Sequence, residues 1–170
     1  PEDRCVIVRP PAGLVRLGLV DKNDMWGLRK ALYGLRECPR LWAQERDSKL
    51  KTMTWTVENR TLCMVNNIVD PTMWTIKNEA TGSVEGIVAT YVDDVLFAGP
   101  EDIVKGGLTA LNNLWKCDDP VILPPGQENT AVYLGIEIVR EVDGTIILTQ
   151  NKYTSQLLKR LKVESTRAIG

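Results

Sequence analysis

Apolar positions along this chain alternate between two spacings, and the switch between them sets out the predicted elements. Leu41, Trp42 and Leu50 mark the buried face of a helix that starts at Pro39 and runs to about Met53, with Arg40, Glu45, Asp47 and Lys49 on its wet face. Short β-like runs follow at Thr61–Val65, Met73–Ile76, Gly86–Val92 and Val95–Ala98. Pro100-Glu101-Asp102 opens a second helix, with Leu108, Leu111, Leu114 and Trp115 at three-to-four-residue spacing. Ala131–Glu141 reads as one strand, Asp143-Gly144 as a hairpin turn and Thr145–Thr149 as the returning partner. A last helix spans about Asn151 to Leu161, with Tyr153, Leu157, Leu158 and Leu161 on one face. Arg9–Gly13 and Pro120–Gln127 read as loops, and residues 24–36 as short mixed structure broken at Gly27 and Gly34. Strands and helices mix without regular βαβ alternation, so the expected fold class is α+β with a largely antiparallel sheet packed on helices.

One position breaks the apolar pattern. Asp93 and Asp94 interrupt the run from Gly86 to Gly99. Burying an unpaired carboxylate costs several kcal/mol, so the pair is expected at a tight turn between two strands. A solvated turn is the ordinary fate of such a pair. The chemical alternative is a shared site for divalent cations, since adjacent carboxylates suit Mg²⁺ and two such ions can clamp an in-line phosphoryl displacement.

Composition narrows the chemistry. The 170 residues are 44% hydrophobic and 25% charged, which suits one domain with its own core. The chain has no histidine, which excludes Ser-His-Asp and Cys-His catalysis and leaves oxygen ligands for any metal. Cys5, Cys38, Cys63 and Cys117 form no CxxC and read as reduced thiols, consistent with an intracellular rather than secreted protein. No apolar run approaches the roughly 20 residues that span a bilayer. Net charge is −1, yet Arg29–Lys51 carries seven Lys/Arg against three acids, and Lys152–Arg167 five against one, each a local +4. Solvated helix faces explain such runs; so would a polyanion held by its backbone on either side of the acidic pair. Trp26, Trp42, Trp55, Trp74 and Trp115 read as core or partner-facing residues rather than base-stacking platforms.

Four blocks in order resemble the reverse transcriptase domain of copia-type LTR retrotransposons. Val8–Leu14 is similar to that family's "PPGF" loop, and Leu28–Trp42 to its "LKKALYGLKQAPRAW" segment. Tyr91–Gly99 is similar to "YVDDILLAG", and Tyr133–Ile138 with Leu148–Tyr153 completes the set. The resemblance covers nearly the whole chain. It implies a polymerase palm with part of the fingers, truncated at its N-terminal side, as a single incomplete domain over residues 1–170. It also implies RNA-directed DNA synthesis with two Mg²⁺ (or Mn²⁺) ions, on an RNA or DNA template-primer with dNTPs. The partners implied are the rest of a Pol polyprotein, with upstream palm and fingers and a downstream RNase H, and no membrane; the setting is cytoplasmic particles or the nucleus.

Carried over residue by residue, Asp93 and Asp94 match the metal-binding catalytic pair and Tyr91 the aromatic residue against the primer end. Tyr33 and Gly34 match the dNTP-pocket turn, and Arg36 and Arg40 in the same block are candidates for phosphate or template contact. Leu134 and Gly135 match the hairpin that grips the primer. Lys116 is a candidate for the cation near the leaving pyrophosphate, beside its plain reading as a helix-end charge.

The family's first catalytic Asp is expected upstream of Pro1, so the isolated segment is expected not to polymerise. Glu37 stands where the family usually has Gln, and Cys38 where it has Ala. An inactive retroelement remnant, or a fold co-opted as a binding or structural module, is the alternative reading.

Overall fold

The computed structural model describes residues 6–32 and 34–163. The chain divides into two compact units, residues 1–50 and 51–170.

In the first unit, β1 (Ile7–Val8) pairs antiparallel with β2 (Trp26–Gly27), with Val8 opposite Trp26. Between them lies a short helix, α1 (Ala12–Arg16), directly after Pro11. The predicted loop over Arg9–Gly13 is corrected here: Pro11 carbonyl accepts from the Leu14 and Val15 amides, so Ala12 and Gly13 form a first helical turn. Proline suits that place, because the first helical amides lack intrahelical partners. Helix α2 (Cys38–Thr52) matches the predicted helix to within a residue at each end. Its buried face differs. Leu50 is fully buried as expected, but Leu41 is 41% exposed and Arg46 only 8%. The Arg46 guanidinium reaches Asp47 Oδ1 at 2.8–2.9 Å, so its charge is matched while its stem packs.

The second unit is built on a five-stranded antiparallel meander in the order β3 (Thr54–Val57), β4 (Arg60–Asn66), β5 (Met73–Asn78), β6 (Val84–Tyr91) and β7 (Asp94–Ala98). Alternation along each strand buries one face: Trp55, Leu62, Met64, Trp74, Ile76 and Val88. Helix α3 (Glu101–Leu114) covers it through Ile103, Gly107 and Leu111. Of the predicted stripe Leu111 is buried, while Leu108, Leu114 and Trp115 are half-buried; the buried line shifts toward Ile103 and Gly107, because Gly107 lets the helix approach Phe97 and Trp55 closely. Strand β3 has no counterpart among the predicted elements.

A separate three-stranded antiparallel sheet follows, in the order β10 (Ile146–Thr149), β9 (Ile136–Arg140), β8 (Asn129–Tyr133). The single strand predicted over Ala131–Glu141 is in fact two. Leu134 and Gly135 have φ of 51° and 79°, and Tyr133 faces Ile136 across them. Positive φ at both turn positions is the type I′ geometry that two-residue hairpins favour. The predicted Asp143-Gly144 turn is present: Gly144 has φ 91°, and Asp143 Oδ1 accepts from the Thr145 amide at 2.8 Å. Helix α4 (Asn151–Leu161) matches its prediction in extent but buries no residue. Its start is tied back to β9, where Glu137 Oε2 accepts from the Lys152 amide at 3.0 Å. The architecture is therefore α+β, with antiparallel sheets and four helices among the described residues.

Candidate active site

The Asp93-Asp94 pair stands at the tip of the β6–β7 hairpin. Ile87, Val88, Thr90 and Tyr91 before it, and Val95 and Phe97 after it, favour extended backbone on both sides. Thr90 pairs with Val95 and Tyr91 with Asp94, which leaves a two-residue turn of Val92 and Asp93. Val92 takes φ 52°. A turn this short needs a primed geometry to match the strand twist, and positive φ at the first turn position is part of it. Glycine usually supplies that conformation; a β-branched residue pays strain there. Glu58, with φ 53° in the β3–β4 turn, shows the same device elsewhere in the sheet.

Tyr91, Val92, Asp93 and Asp94 are all exposed. Among the described residues neither carboxylate accepts a hydrogen bond or forms an ion pair. Two adjacent hard-oxygen donors with no internal partner fit a divalent cation bound partly by substrate phosphates and water. They do not form an all-protein cage: no group of three or more His, Cys, Asp or Glu side chains is placed to hold a metal among the described residues.

The meander puts the β4–β5 loop (residues 67–72) at the same end of the sheet as this turn. There the Thr72 carbonyl accepts from both the amide and the hydroxyl of Thr90, at 2.8 and 3.1 Å. Thr90 is 1% exposed. Nothing in the sequence marks this link, because a threonine in a strand reads as ordinary β propensity.

The other candidate residues fall in different places. Gly34 sits in a turn of the first unit with φ 97°, a conformation that favours glycine. Arg36 is exposed in the turn before α2. Arg40 is exposed in the first turn of that helix and donates to Gln44 Oε1 at 3.4 Å. Tyr33 lies outside the described residues. Leu134 and Gly135 form the exposed β8–β9 turn of the second unit. Lys116 is exposed just beyond the end of α3.

A cleft of about 730 Å³ opens within the second unit between β7 with the start of α3 and the three-stranded sheet. Phe97, Pro100, Val121, Tyr133, Ile138 and Arg140 line part of it. Arg140 donates to the Leu123 carbonyl at 2.9 Å and so anchors the Pro120–Pro125 segment to β9. The wall is mostly apolar.

The hairpin with its paired carboxylates sits on an α+β fold of antiparallel sheets compatible with a polymerase-like domain, and comparison with known proteins makes the class specific. Residues 2–169 match the family model described as reverse transcriptase (RNA-dependent DNA polymerase), and the chain belongs to that family. The retrovirus-related Pol polyprotein from transposon RE2 of Arabidopsis thaliana is 30% identical over 99% of this chain. The corresponding polyprotein from transposon TNT 1-94 of Nicotiana tabacum is 30% identical over 88%. The one from transposon RE1 of Arabidopsis thaliana is 28% identical over 89%. This chain spans about a tenth of the length of each. No solved structure matches it significantly. The chain is thus a reverse transcriptase domain of the retrotransposon Pol type. Reverse transcriptases generally work with divalent metal ions. No helix among the described residues is long and apolar enough to cross a membrane.

Proposed function

We propose that this domain performs template-directed nucleotidyl transfer as the palm, with part of the fingers, of a retrotransposon polymerase working within its Pol polyprotein. The observation that carries the proposal is the Asp93-Asp94 hairpin tip: two exposed carboxylates with no partner among the described residues, presented by a two-residue turn inside the family's motif. Asp93 and Asp94 would hold two Mg²⁺ ions, which supply charge neutralisation at the attacking and leaving oxygens.

The chain's own residues position the reactants, which is most of what phosphoryl transfer asks of a protein. Tyr91, 55% exposed beside the pair, offers a face to the primer end. Tyr33 and Gly34 serve the dNTP pocket, where the absence of a side chain at Gly34 allows close backbone approach. Arg36 and Arg40 point charge-assisted donors at phosphate or template. The Leu134-Gly135 turn holds the primer through its backbone without reading sequence. Lys116 neutralises the leaving pyrophosphate. Template-primer, dNTPs and the remaining Pol regions are the partners, in an intracellular setting.

The test is primer extension by the full-length Pol product carrying Asp93→Asn. Extension falling to background while the protein stays folded supports the catalytic role. Unchanged extension removes Asp93 from the catalytic role, and a wild-type product that extends no primer favours the reading as a co-opted or relic fold.

A further inference from the structure

We infer that Thr90 is a positioning residue for the catalytic turn, fixing the strand that carries Tyr91, Asp93 and Asp94 through the carbonyl of Thr72. The inference rests on the proposed role of that turn. Strand β5 begins at Met73, so Thr72 lies just beyond its end. The Thr72 carbonyl is thus the support that the β5 side gives to β6 two residues before Val92. It takes two hydrogen bonds there, from the Thr90 amide at 2.8 Å and the Thr90 hydroxyl at 3.1 Å.

The anchor is itself built. Asp70 Oδ1 accepts from the Thr72 amide at 2.9 Å and from its hydroxyl at 2.6 Å. Asn67 Oδ1 accepts from the Val69 and Asp70 amides, and Asn66 Nδ2 donates to the Pro71 carbonyl at 2.9 Å. Asn67 and Met73 close the loop through a backbone bond at 2.9 Å. Strained backbone persists only where its surroundings over-determine it. Val92 at φ 52° is strained, and the doubled rung at Thr90 is a fixed point next to it. The carboxylate pair can share metal ions only if this tip is held in register, and small misplacements of a catalytic group cost rate steeply.

The experiment compares wild type, Thr90→Val and Thr90→Ser in the full-length Pol product. Valine keeps the shape and leaves the Thr72 carbonyl satisfied by the Thr90 amide, so the variant folds. Serine restores the hydroxyl. Hydrogen exchange read by mass spectrometry on peptides covering residues 91–98 is expected to speed up about five- to tenfold in Thr90→Val, as for the loss of one hydrogen bond. Peptides from β3 and β4 are expected to stay unchanged, and serine to return the turn to wild-type exchange. Steady-state primer extension is expected to show a lower kcat in Thr90→Val with KM for dNTP unchanged.

Equal exchange at the turn in wild type and Thr90→Val overturns the inference. So does faster exchange spread over the whole sheet, which would make Thr90 a general stability residue. A wild-type product that extends no primer defeats the polymerase reading instead, while exchange at the turn still decides whether Thr90 holds it.

Discussion

The indole N–H of Trp55 donates to the main-chain carbonyl of Ile103 at 3.2 Å, and both residues are buried. This bond ties the edge strand β3 to the first turns of α3 across the face that the sheet buries. Helix and strand meet this closely because Gly106 and Gly107 stand at the contact. A Cβ at Gly107 would lie 2.8 Å from Phe97 Cε1 and 3.2 Å from Trp55 Cζ2.

The competing effects at Gly107 can be weighed. Alanine in a helix interior is worth about 1 kcal/mol over glycine. Overpacking a well-filled core costs typically about 1–3 kcal/mol. The Trp55 ring is buried and pinned by its bond to Ile103, so overpacking wins. Gly107→Ala is expected to destabilise the chain by about 1 kcal/mol, measured by urea unfolding. An increase in stability would show that Phe97 can move aside freely.

Val92 presents the opposite balance. Left-handed backbone costs a non-glycine residue about 1–2 kcal/mol. Glycine removes that cost but loses roughly 0.5–1 kcal/mol through its freer unfolded chain. Val92→Gly is therefore expected to raise unfolding stability by up to about 1 kcal/mol while lowering kcat for primer extension, because the tip gains freedom. Stability that falls by 1 kcal/mol or more would mean the valine side chain packs to hold the turn.

The strand-and-turn logic around the acidic pair was legible in the sequence, since few places accept two adjacent carboxylates inside an apolar run. Helix α4 and the Asp143-Gly144 hairpin were equally readable, one by period and one by turn chemistry. The misses have physical causes. Arg46 took the buried place assigned to Leu41 because it carries its counter-charge next door, at Asp47. Leu134 was hidden inside an apparent strand, since leucine rarely adopts positive φ and gives no turn signal. Strand β3 went unseen because Thr54–Val57 is short and follows directly on α2. The Thr72–Thr90 link depends on register across two strands, which no local pattern encodes.

The Asp143 carboxyl is held below the ordinary carboxylate range by hydrogen bonds from the backbone and side chain of Thr145. A group whose folded pKa is depressed stabilises the fold above its unfolded pKa and loses that contribution as pH falls through the folded pKa. The β9–β10 turn is thus expected to loosen only in acid below the ordinary Asp titration, visible as a late loss of the Thr145 amide signal by NMR. Thr145→Val removes the side-chain donor and should shift the Asp143 midpoint upward. A midpoint that does not move would assign the depression to the backbone bond alone.

Asp93 and Asp94 are the last case, because function and stability separate there. Side by side at an exposed tip, with no internal partner among the described residues, they hold nothing together. Surface substitutions away from such features change stability by less than about 0.5 kcal/mol. Asp93→Asn with Asp94→Asn should therefore leave the unfolding midpoint of the chain essentially unchanged in metal-free buffer. A ligand that binds only the folded state raises apparent stability by mass action. Added Mn²⁺ should accordingly raise the wild-type midpoint, progressively with concentration, and leave the double variant where it was. An equal shift in both proteins would place cation binding elsewhere on the chain. A double variant that unfolds readily without metal would make the pair a structural feature of the hairpin.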